Sequence, residues 1–302
     1  MDFPAAPLSV VLLGSHGLLG TALLSALQAS GRYRVQALER GALNLTHLSS
    51  FERTLDGLDF QILINAAAYT AVDDCEIQGA LADLVNAQAP GLLAQICARR
   101  GARMLHFSTD FVFDGQKPTA YLETDPPQSV SVYGKSKLHG ERLVQEASMD
   151  HLIVRLSWLF GAGRPAFPEW IISQAQQQDI VRVVGDRFAC PTYSGEAARA
   201  FLPWLEDRTL AGGIWHFCQP EPCSWSDYGQ EVLEGARAAG LVLRTHQVTP
   251  IPISSLPGLV APRPQQSILD TTKFTSSTGH PPRPWKESLQ EYLAGKYGLP
   301  QG

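Results

Sequence analysis

Hydrophobic residues along the chain fall into two alternating patterns. The continuous apolar run at 8–14 predicts a strand that is buried on both faces. Further strands are predicted at 33–39, 60–69, 102–109 and 151–161, of which 102–109 is also expected to be buried. Stretches whose apolar positions recur with helical spacing lie between the strands: 18–31, 79–101 and 137–148. The alternation predicts an α/β fold, a Rossmann-type doubly wound parallel sheet that binds ligands beyond the carboxyl ends of its strands.

The pattern changes after residue 161, where prolines and short segments replace the long runs. We therefore predict a dinucleotide-binding domain at residues 1–161 and a smaller, irregular substrate-binding lobe at 162–195 and 219–302. Residues 196–218 are expected to return to the first domain, because GIWHFC at 213–218 has the composition of a further strand.

The turn after the first strand carries Gly14, Gly17 and Gly20 and opens a helix. In a strand–turn–helix–strand unit, such glycines permit a tight turn, a close approach of the backbone to a pyrophosphate and helix–strand packing. The helix N-terminus offers a positive dipole end to the phosphates. This context predicts a dinucleotide site rather than a purely structural turn.

Two charged residues end the second strand and bear on cofactor choice. Glu39 stands where a carboxylate can accept hydrogen bonds from the adenosine ribose, and it would repel a 2′-phosphate, which favours NADH. The adjacent Arg40 could attract that phosphate, which favours NADPH. The sequence leaves both cofactors open.

Tyr133 and Lys137 are four residues apart in SVYGKSK and would share one helix face. Reduction of a ketone needs a proton and hydrogen bonds at the carbonyl oxygen. We predict Tyr133 as the proton donor and Lys137 as the ammonium that lowers the pKa of the phenol. Thr109, with Ser108 beside it at a strand end, is expected to supply a second hydrogen bond to the carbonyl.

Composition narrows the function classes. The net charge of −5, without a basic run, argues against a nucleic-acid surface. The five cysteines include no C-x-x-C pair and indicate reduced thiols in a cytoplasmic protein. The N-terminal apolar run is too short for a signal peptide or a membrane span, and a hydrolase is disfavoured because neither G-x-S-x-G nor H-E-x-x-H occurs.

These motifs together resemble the extended short-chain dehydrogenase/reductases and, more closely, the dTDP-4-dehydrorhamnose reductases. The similarity covers nearly the whole chain and rests on seven segments in order: GSHGLLG, ILINAAAYTAVDDCE, HFSTDFVFDG, VYGKSKLHGE, VRLSWLFG, DRFACPTYSGE and RPQQSILDTTKF. The resemblance implies an NADPH- or NADH-dependent enzyme that reduces the 4-keto group of a dTDP-6-deoxyhexulose.

The resemblance also implies site residues. Tyr133, Lys137, Thr109 and Asp110 would be catalytic. Trp158, Arg263 and neighbouring Pro264 would border the nucleotide-sugar, which Thr109 and Asp110 also meet. Residues implied to contact the dinucleotide, besides the three glycines, Arg40 and the catalytic pair, are Leu18, Leu19, Glu39, Asn44, Leu45, Ala68, Tyr69, Thr70 and Phe107.

Two positions depart from the family pattern. Asn44 replaces a usual aspartate, which weakens an expected contact with adenine. Some members bind magnesium at a dimer interface through an acidic residue just after the third glycine. Here that residue is Thr21, so we predict no metal and disfavour that mode of dimerisation, although the resemblance leaves a homodimer open.

Two alternatives remain from the sequence. A nucleotide-sugar dehydratase or epimerase would use the same scaffold, but dehydratases place glutamate after the aspartate, and here Phe111 follows Asp110. A non-catalytic, cofactor-binding subunit similar to the β-subunit of methionine adenosyltransferase is the other. The retained Tyr133, Lys137, Thr109 and Asp110 favour the reductase.

Overall fold

The structure, a computed structural model, describes residues 6–207 and 209–298. The outer ends of the two predicted domains, residues 1–5 and 299–302, lie outside the described residues, as does residue 208. The strands are β1 (Leu8–Leu13), β2 (Tyr33–Leu38), β3 (Ile62–Asn65), β4 (Arg103–Thr109), β5 (Leu152–Leu156), β6 (Leu159–Phe160), β7 (Val181–Val184), β8 (Phe188–Ala189), β9 (Thr192–Tyr193), β10 (Gly213–Phe217), β11 (Cys223–Ser224) and β12 (Val248–Ile251).

Helices cover both faces of the sheet and build most of the lobe. They are α1 (Leu18–Ser30), α2 (Phe51–Asp56), α3 (Val72–Ile77), α4 (Gly79–Asp83), α5 (Ala89–Arg99), α6 (Val132–Ala147), α7 (Phe167–Gln177), α8 (Ser194–Glu206), α9 (Trp225–Ala238), α10 (Thr272–Thr278) and α11 (Trp285–Tyr297). A π-helical turn, Leu84–Gln88, joins α4 to α5, and short 3₁₀ turns occur at Leu48–Ser50, Asp110–Val112 and Ile253–Ser255.

Six parallel strands form the central sheet in the order β10-β5-β4-β3-β1-β2. The predicted α/β fold with a central parallel sheet is therefore confirmed. The chain runs outward in one direction from β1 to β2 and in the other from β1 to β3. This reversal opens a crevice at the carboxyl ends of β1 and β3, where doubly wound sheets bind ligands.

The sheet separates two hydrophobic layers. Leu23 of α1 and Phe201 of α8 are fully buried on one face, and Leu93 of α5 is fully buried on the other. Burial of one such side chain stabilises the fold by about 1.5–3 kcal/mol. Because helices cover both faces, β1 is apolar except at Ser9, and all seven residues of β4 are buried although four of them are polar.

The lobe has its own apolar core. Helices α7, α9 and α11 pack around Tyr228 and Trp285, both fully buried. The lobe also contains two small sheets, in which β12 pairs parallel with β7 and β11 pairs antiparallel with β8. Between these segments the chain returns to the main sheet, where α8 packs on α1 and β10 pairs with β5.

Three element boundaries differ from the sequence prediction. The strand expected over 60–69 ends at Asn65, and the strand expected over 151–161 divides into β5 and β6 around Trp158, whose φ is 41°. The helix expected at 137–148 begins earlier, at Val132, because the Ser131 hydroxyl accepts a hydrogen bond from the Gly134 amide (3.1 Å). None of the helices in 6–207 and 209–298 combines the length and apolarity needed to span a membrane.

Candidate active site

The predicted glycine turn lies at the mouth of the crevice between β1 and β3. Gly14 has a φ of 78°, and a Cβ atom there would lie 2.6 Å from the Ala67 amide nitrogen. A Cβ at Gly20 would lie 2.0 Å from the Gly14 carbonyl oxygen. Gly17 caps α1 without a side chain, so the amides at the start of the helix can be approached closely.

Two connected cavities follow this crevice. The larger, about 800 Å³, is lined by Gly17, Leu18, Leu19, Phe107 and Thr70 and by the candidate catalytic residues. The smaller, about 440 Å³, is lined by Asn44, Leu45, Ala68 and Tyr69. Gly14, Arg40, Ala67 and Ala68 line both cavities. The two cavities together form an elongated cradle that runs past the glycine turn and has room for a two-part ligand such as a dinucleotide.

The structure separates Glu39 from Arg40. The side chain of Glu39 is exposed, and its Oε1 lies 3.7 Å from Nε2 of His16 in the glycine turn. Arg40 contributes to the lining of both cavities instead. Asn44 also faces the smaller cavity, and its Oδ1 accepts hydrogen bonds from the amide and hydroxyl of Thr46 (3.1 and 2.9 Å).

Lys137 is buried below the larger cavity. Its ammonium group donates to the Phe107 carbonyl oxygen (2.7 Å) and lies 3.4 Å from Nε2 of His106. On the other side of this ring, Nδ1 of His106 lies 3.2 Å from Nδ2 of Asn65. Burial lowers the pKa of Lys137 to about 8, against an opposing effect of Glu141. Burial, with the charge of Lys137, places the pKa of His106 well below its usual value, so this ring is neutral.

Tyr133 lines the same cavity one helical turn before Lys137. Burial raises the pKa of Tyr133, while a hydrogen bond with Thr109 acts in the opposite direction. This differs from the sequence argument, in which Lys137 lowers the pKa of the phenol. The physical reason is that the ammonium group is directed to the Phe107 carbonyl oxygen. A raised pKa keeps the phenol protonated at neutral pH, which is the form that can donate a proton.

Asp110 organises the hydroxyl groups beside Tyr133. It is 3% exposed and accepts hydrogen bonds from Thr109 (3.0 Å), Ser157 (3.0 Å) and Ser267. Burial raises its pKa to about 6, and the three hydroxyl groups offset part of that effect. Thr109 could therefore donate to a substrate carbonyl only if its hydroxyl group stopped donating to Asp110. The neighbouring Ser108 hydroxyl group is buried at the cavity and has no hydrogen-bond partner among the described residues.

Trp158 lies between the larger cavity and a third one. The third cavity, about 130 Å³, also touches Asp110 and Phe111 and extends into the lobe. The Trp158 ring packs edge-on against Tyr228, with centroids 4.8 Å apart. Its φ of 41° is rare for a bulky residue, and its ring also contacts Phe167 and Trp225 of the lobe.

Arg263 and Pro264, which the resemblance expects to border the nucleotide-sugar, line the third cavity. The Arg263 guanidinium forms a two-pronged ion pair with Asp73 of α3 (2.6 and 3.1 Å). Arg263, with the Val260 and Ala261 amides, lowers the pKa of Asp73 to about 2. A second arginine, Arg187, reaches the same cavity with its buried Nε unpartnered among the described residues.

Sequence reasoning missed a buried asparagine that fixes the loop after β3. Asn86, in the π-helical turn, accepts from the Tyr69 amide (2.8 Å) and donates to the Tyr69 carbonyl oxygen (3.0 Å) and to the Ser136 hydroxyl (3.0 Å). It thereby ties the cofactor side of the cradle to the helix that carries Tyr133. π-Helical turns are frequent at functional sites, but a sequence pattern gives no signal for one.

The residue at the family's metal position does not fit a metal ligand set. The Thr21 hydroxyl donates to the Ser15 carbonyl oxygen (3.1 Å). Within residues 6–207 and 209–298, no group of three or more histidine, cysteine, aspartate or glutamate side chains is arranged to hold a metal ion. Thr21 is therefore not an acidic ligand of the kind that the resemblance expects at this position.

Comparison with known proteins tests the resemblance. The family described as "RmlD substrate binding domain" matches residues 8–297. The dTDP-4-dehydrorhamnose reductase of Aggregatibacter actinomycetemcomitans is 37% identical over 290 residues, which are 94% of this chain and 98% of that protein. The chain belongs to the dTDP-4-dehydrorhamnose reductase family. The family predicted from the sequence motifs is thus confirmed, and with it the class of oxidoreductases.

Solved structures of the dTDP-4-dehydrorhamnose reductase family share the fold. The enzyme from Bacillus anthracis, solved in complex with NADP, superimposes with a TM-score of 0.89 at 27% identity, covering 96% of this chain and 99% of its own. The Clostridium acetobutylicum enzyme has a TM-score of 0.88 at 31% identity and coverages of 95% and 98%. The Rossmann-type fold and the nicotinamide cofactor class follow from these similarities.

Proposed function

We propose that the protein reduces the 4-keto group of a dTDP-6-deoxyhexulose, converting dTDP-4-dehydro-L-rhamnose into dTDP-L-rhamnose with NADPH or NADH. The observation that carries the proposal is that Tyr133, Thr109 and Lys137 all line the larger of the two cavities that form the cradle. The family relationship supports the choice of sugar.

The cradle fits a dinucleotide because side chains are excluded where a pyrophosphate would approach. Gly14, Gly17 and Gly20, with Leu18 and Leu19, would hold the phosphate half, and Asn44, Leu45, Ala68 and Tyr69 would hold the adenosine half. Thr70, Phe107 and Lys137 would border the remainder. When bound, the nicotinamide supplies the hydride to the carbonyl carbon.

Tyr133 is proposed to donate its proton to the carbonyl oxygen. Burial keeps the phenol protonated until negative charge grows on that oxygen. Lys137, held against the Phe107 carbonyl oxygen, places a buried positive charge in the same cavity, where it would border the cofactor. Thr109 forms a hydrogen bond with Tyr133 and is itself held by Asp110, and the Ser108 hydroxyl is available as a second donor.

The lobe is proposed to hold the substrate. Residues 162–195 and 219–302 would form this domain, and residues 1–161 with 196–218 would form the dinucleotide-binding domain. Trp158 would pack on the sugar, and Arg263, reinforced by Arg187, would meet the nucleotide diphosphate. The hydrogen bond from Ser267 to Asp110 supports this assignment, because it joins the lobe to the catalytic residues.

Arg40 is proposed to give NADPH the advantage over NADH. It lines the cradle, whereas the neighbouring carboxylate of Glu39 lies next to His16. We expect Arg40→Gln to lower kcat/KM for NADPH by about 10- to 100-fold, the usual loss for a hydrogen-bonded charge pair, and to leave the value for NADH within about twofold. An equal loss for both cofactors would contradict a specific role at the 2′-phosphate.

We also propose a cytoplasmic location, because the five cysteines are buried free thiols, as a reducing compartment favours. A homodimer remains a prediction from the family resemblance. Sedimentation velocity with and without magnesium measures both the oligomeric state and its dependence on the metal.

The test of the function is NADPH oxidation with dTDP-4-dehydro-L-rhamnose, for the wild type and for Tyr133→Phe. We expect turnover by the wild type and a loss of about 10²- to 10⁴-fold in the variant, the usual contribution of a general acid. The dissociation constant for NADPH should stay unchanged. Tyr297→Phe, in the last helix, is a matched control that removes a distant phenol. Cofactor binding without turnover by the wild type would favour a regulatory subunit.

A further inference from the structure

The segment between β6 and α7 crosses the cofactor crevice, and we call residues 161–166 the strap. Both of its glycines have left-handed backbone conformations, with φ values of 142° at Gly161 and 114° at Gly163. Gly163 lies on the first turn of α1, because a Cβ atom there would be 3.2 Å from the Thr21 hydroxyl and 3.6 Å from the Gly17 carbonyl oxygen. The strap therefore rests on the helix whose N-terminus faces the crevice.

Arg164 extends from the strap to the opposite wall. Its Nη2 donates a hydrogen bond to the Thr70 hydroxyl (3.1 Å), and Thr70 lies in the loop that follows β3. Gly17 and Thr21 follow β1. The strap and Arg164 thus bridge the two strands between which the crevice opens. Arg164 lines the larger cavity from above, and its side chain is exposed.

The charges around this cavity leave Arg164 available to an anion. The other cationic side chains of the lining are Arg40 and Lys137, and among the described residues of the lining Asp110 is the acidic one. Lys137 is buried against the Phe107 carbonyl oxygen, and Arg40 stands at the adenosine end of the cradle. Arg164 donates to a neutral hydroxyl and has a planar, two-pronged set of donors suited to phosphate oxygens.

We propose that Arg164 is a diphosphate-binding residue that fastens the ligand beneath the strap, exchanging the Thr70 hydroxyl for phosphate oxygens. This inference rests on the proposed function, since both the dinucleotide and the nucleotide-sugar carry a diphosphate. Contact of Gly163 with Gly17 and Thr21 favours the dinucleotide, whose diphosphate would lie at the start of α1.

Equilibrium binding tests the proposal without requiring turnover. Dissociation constants of NADPH and of dTDP are measured by calorimetry for the wild type, Arg164→Gln and Arg164→Lys. Arg182→Gln, which removes an exposed arginine of β7, is the matched control. We expect Arg164→Gln to weaken NADPH binding by about 10- to 100-fold and Arg164→Lys to weaken it less, because lysine keeps the charge and loses the two-pronged geometry.

The two ligands separate the two sources of diphosphate. Weakened NADPH binding with unchanged dTDP binding assigns Arg164 to the cofactor, and the reverse result assigns it to the nucleotide-sugar. Affinities for both ligands that match the Arg182→Gln control would overturn the proposal. Failure of the proposed function appears differently, as wild-type protein that binds NADPH and does not oxidise it with the dTDP-sugar.

Discussion

Replacement of Asp110 by asparagine removes a buried carboxylate from the lining of the larger cavity. The wild-type side chain is 3% exposed, and burial raises its pKa from 3.8 to about 6. Between these two pH values the folded protein binds the proton more tightly than the unfolded chain. The contribution of Asp110 to stability is therefore greatest below pH 3.8 and is lost as the pH rises through about 6.

The magnitude follows from the two pKa values. Their difference, about 6 minus 3.8, multiplied by 1.36 kcal/mol per pKa unit, gives about 3 kcal/mol over the full titration. From about pH 4.5 to about pH 7.5 the accessible part is about 2 kcal/mol. The asparagine side chain of the variant does not titrate, so the free energy of unfolding of the variant should increase by that amount relative to the wild type as the pH is raised.

Urea unfolding followed by tryptophan fluorescence at about pH 4.5, 6.0 and 7.5 measures this difference. Asp59→Asn is the matched control, because the Asp59 side chain is 92% exposed. The free energy of unfolding of Asp59→Asn should follow that of the wild type at each pH. A difference between Asp110→Asn and wild type that stays constant within about 0.5 kcal/mol would refute the placement of a buried, ionised carboxylate at this position.

Three further predictions concern the turn, the core and the metal position. Gly14→Ala should lower the free energy of unfolding by about 1–3 kcal/mol, because the φ of Gly14 is 78°. The added Cβ would also clash with Ala67, so NADPH affinity should fall at least about tenfold. Gly31→Ala is the control: its φ is 65° and its Cβ would meet open space, so it should lower stability and leave NADPH affinity unchanged. Glu141→Gln should lower the free energy of unfolding in urea by about 3–5 kcal/mol, because it leaves the buried Arg155 charge unpaired. As a control, Glu52→Gln, in an exposed ion pair, should change the free energy of unfolding by less than about 1 kcal/mol. Treatment with EDTA should leave kcat unchanged, and a loss restored by magnesium would contradict the assignment of Thr21.

Hydrophobic patterning was sufficient to predict the sheet. The run at 8–14 could be assigned to a buried strand because helices cover both faces, so no regular alternation with polar positions interrupts it. Residues 102–109 form a buried strand as well, although Arg103, His106 and Ser108 interrupt its apolar residues. The glycine spacing likewise predicted the turn, since Gly14 and Gly20 have no room for a Cβ atom. These features are local consequences of backbone geometry and burial.

Long-range pairings set the parts that the sequence left open. The ion pair between Arg263 and Asp73 joins residues 190 positions apart, and no local pattern indicates it. The same holds for Arg164, which reaches Thr70 across the crevice. The division of the strand at Trp158 depends on a positive φ at a bulky residue, which only the surrounding packing can impose.

The most direct test of the proposed reduction follows the hydride. NADPH carrying deuterium at C4 of the nicotinamide, in separate samples for each face of the ring, is incubated with the protein and dTDP-4-dehydro-L-rhamnose, and the nucleotide-sugar is analysed by NMR and mass spectrometry. We predict one deuterium at C4 of the sugar from one of the two samples, with formation of dTDP-L-rhamnose. Recovery of unlabelled, unreduced sugar from both samples, under conditions where NADPH binds, would contradict it.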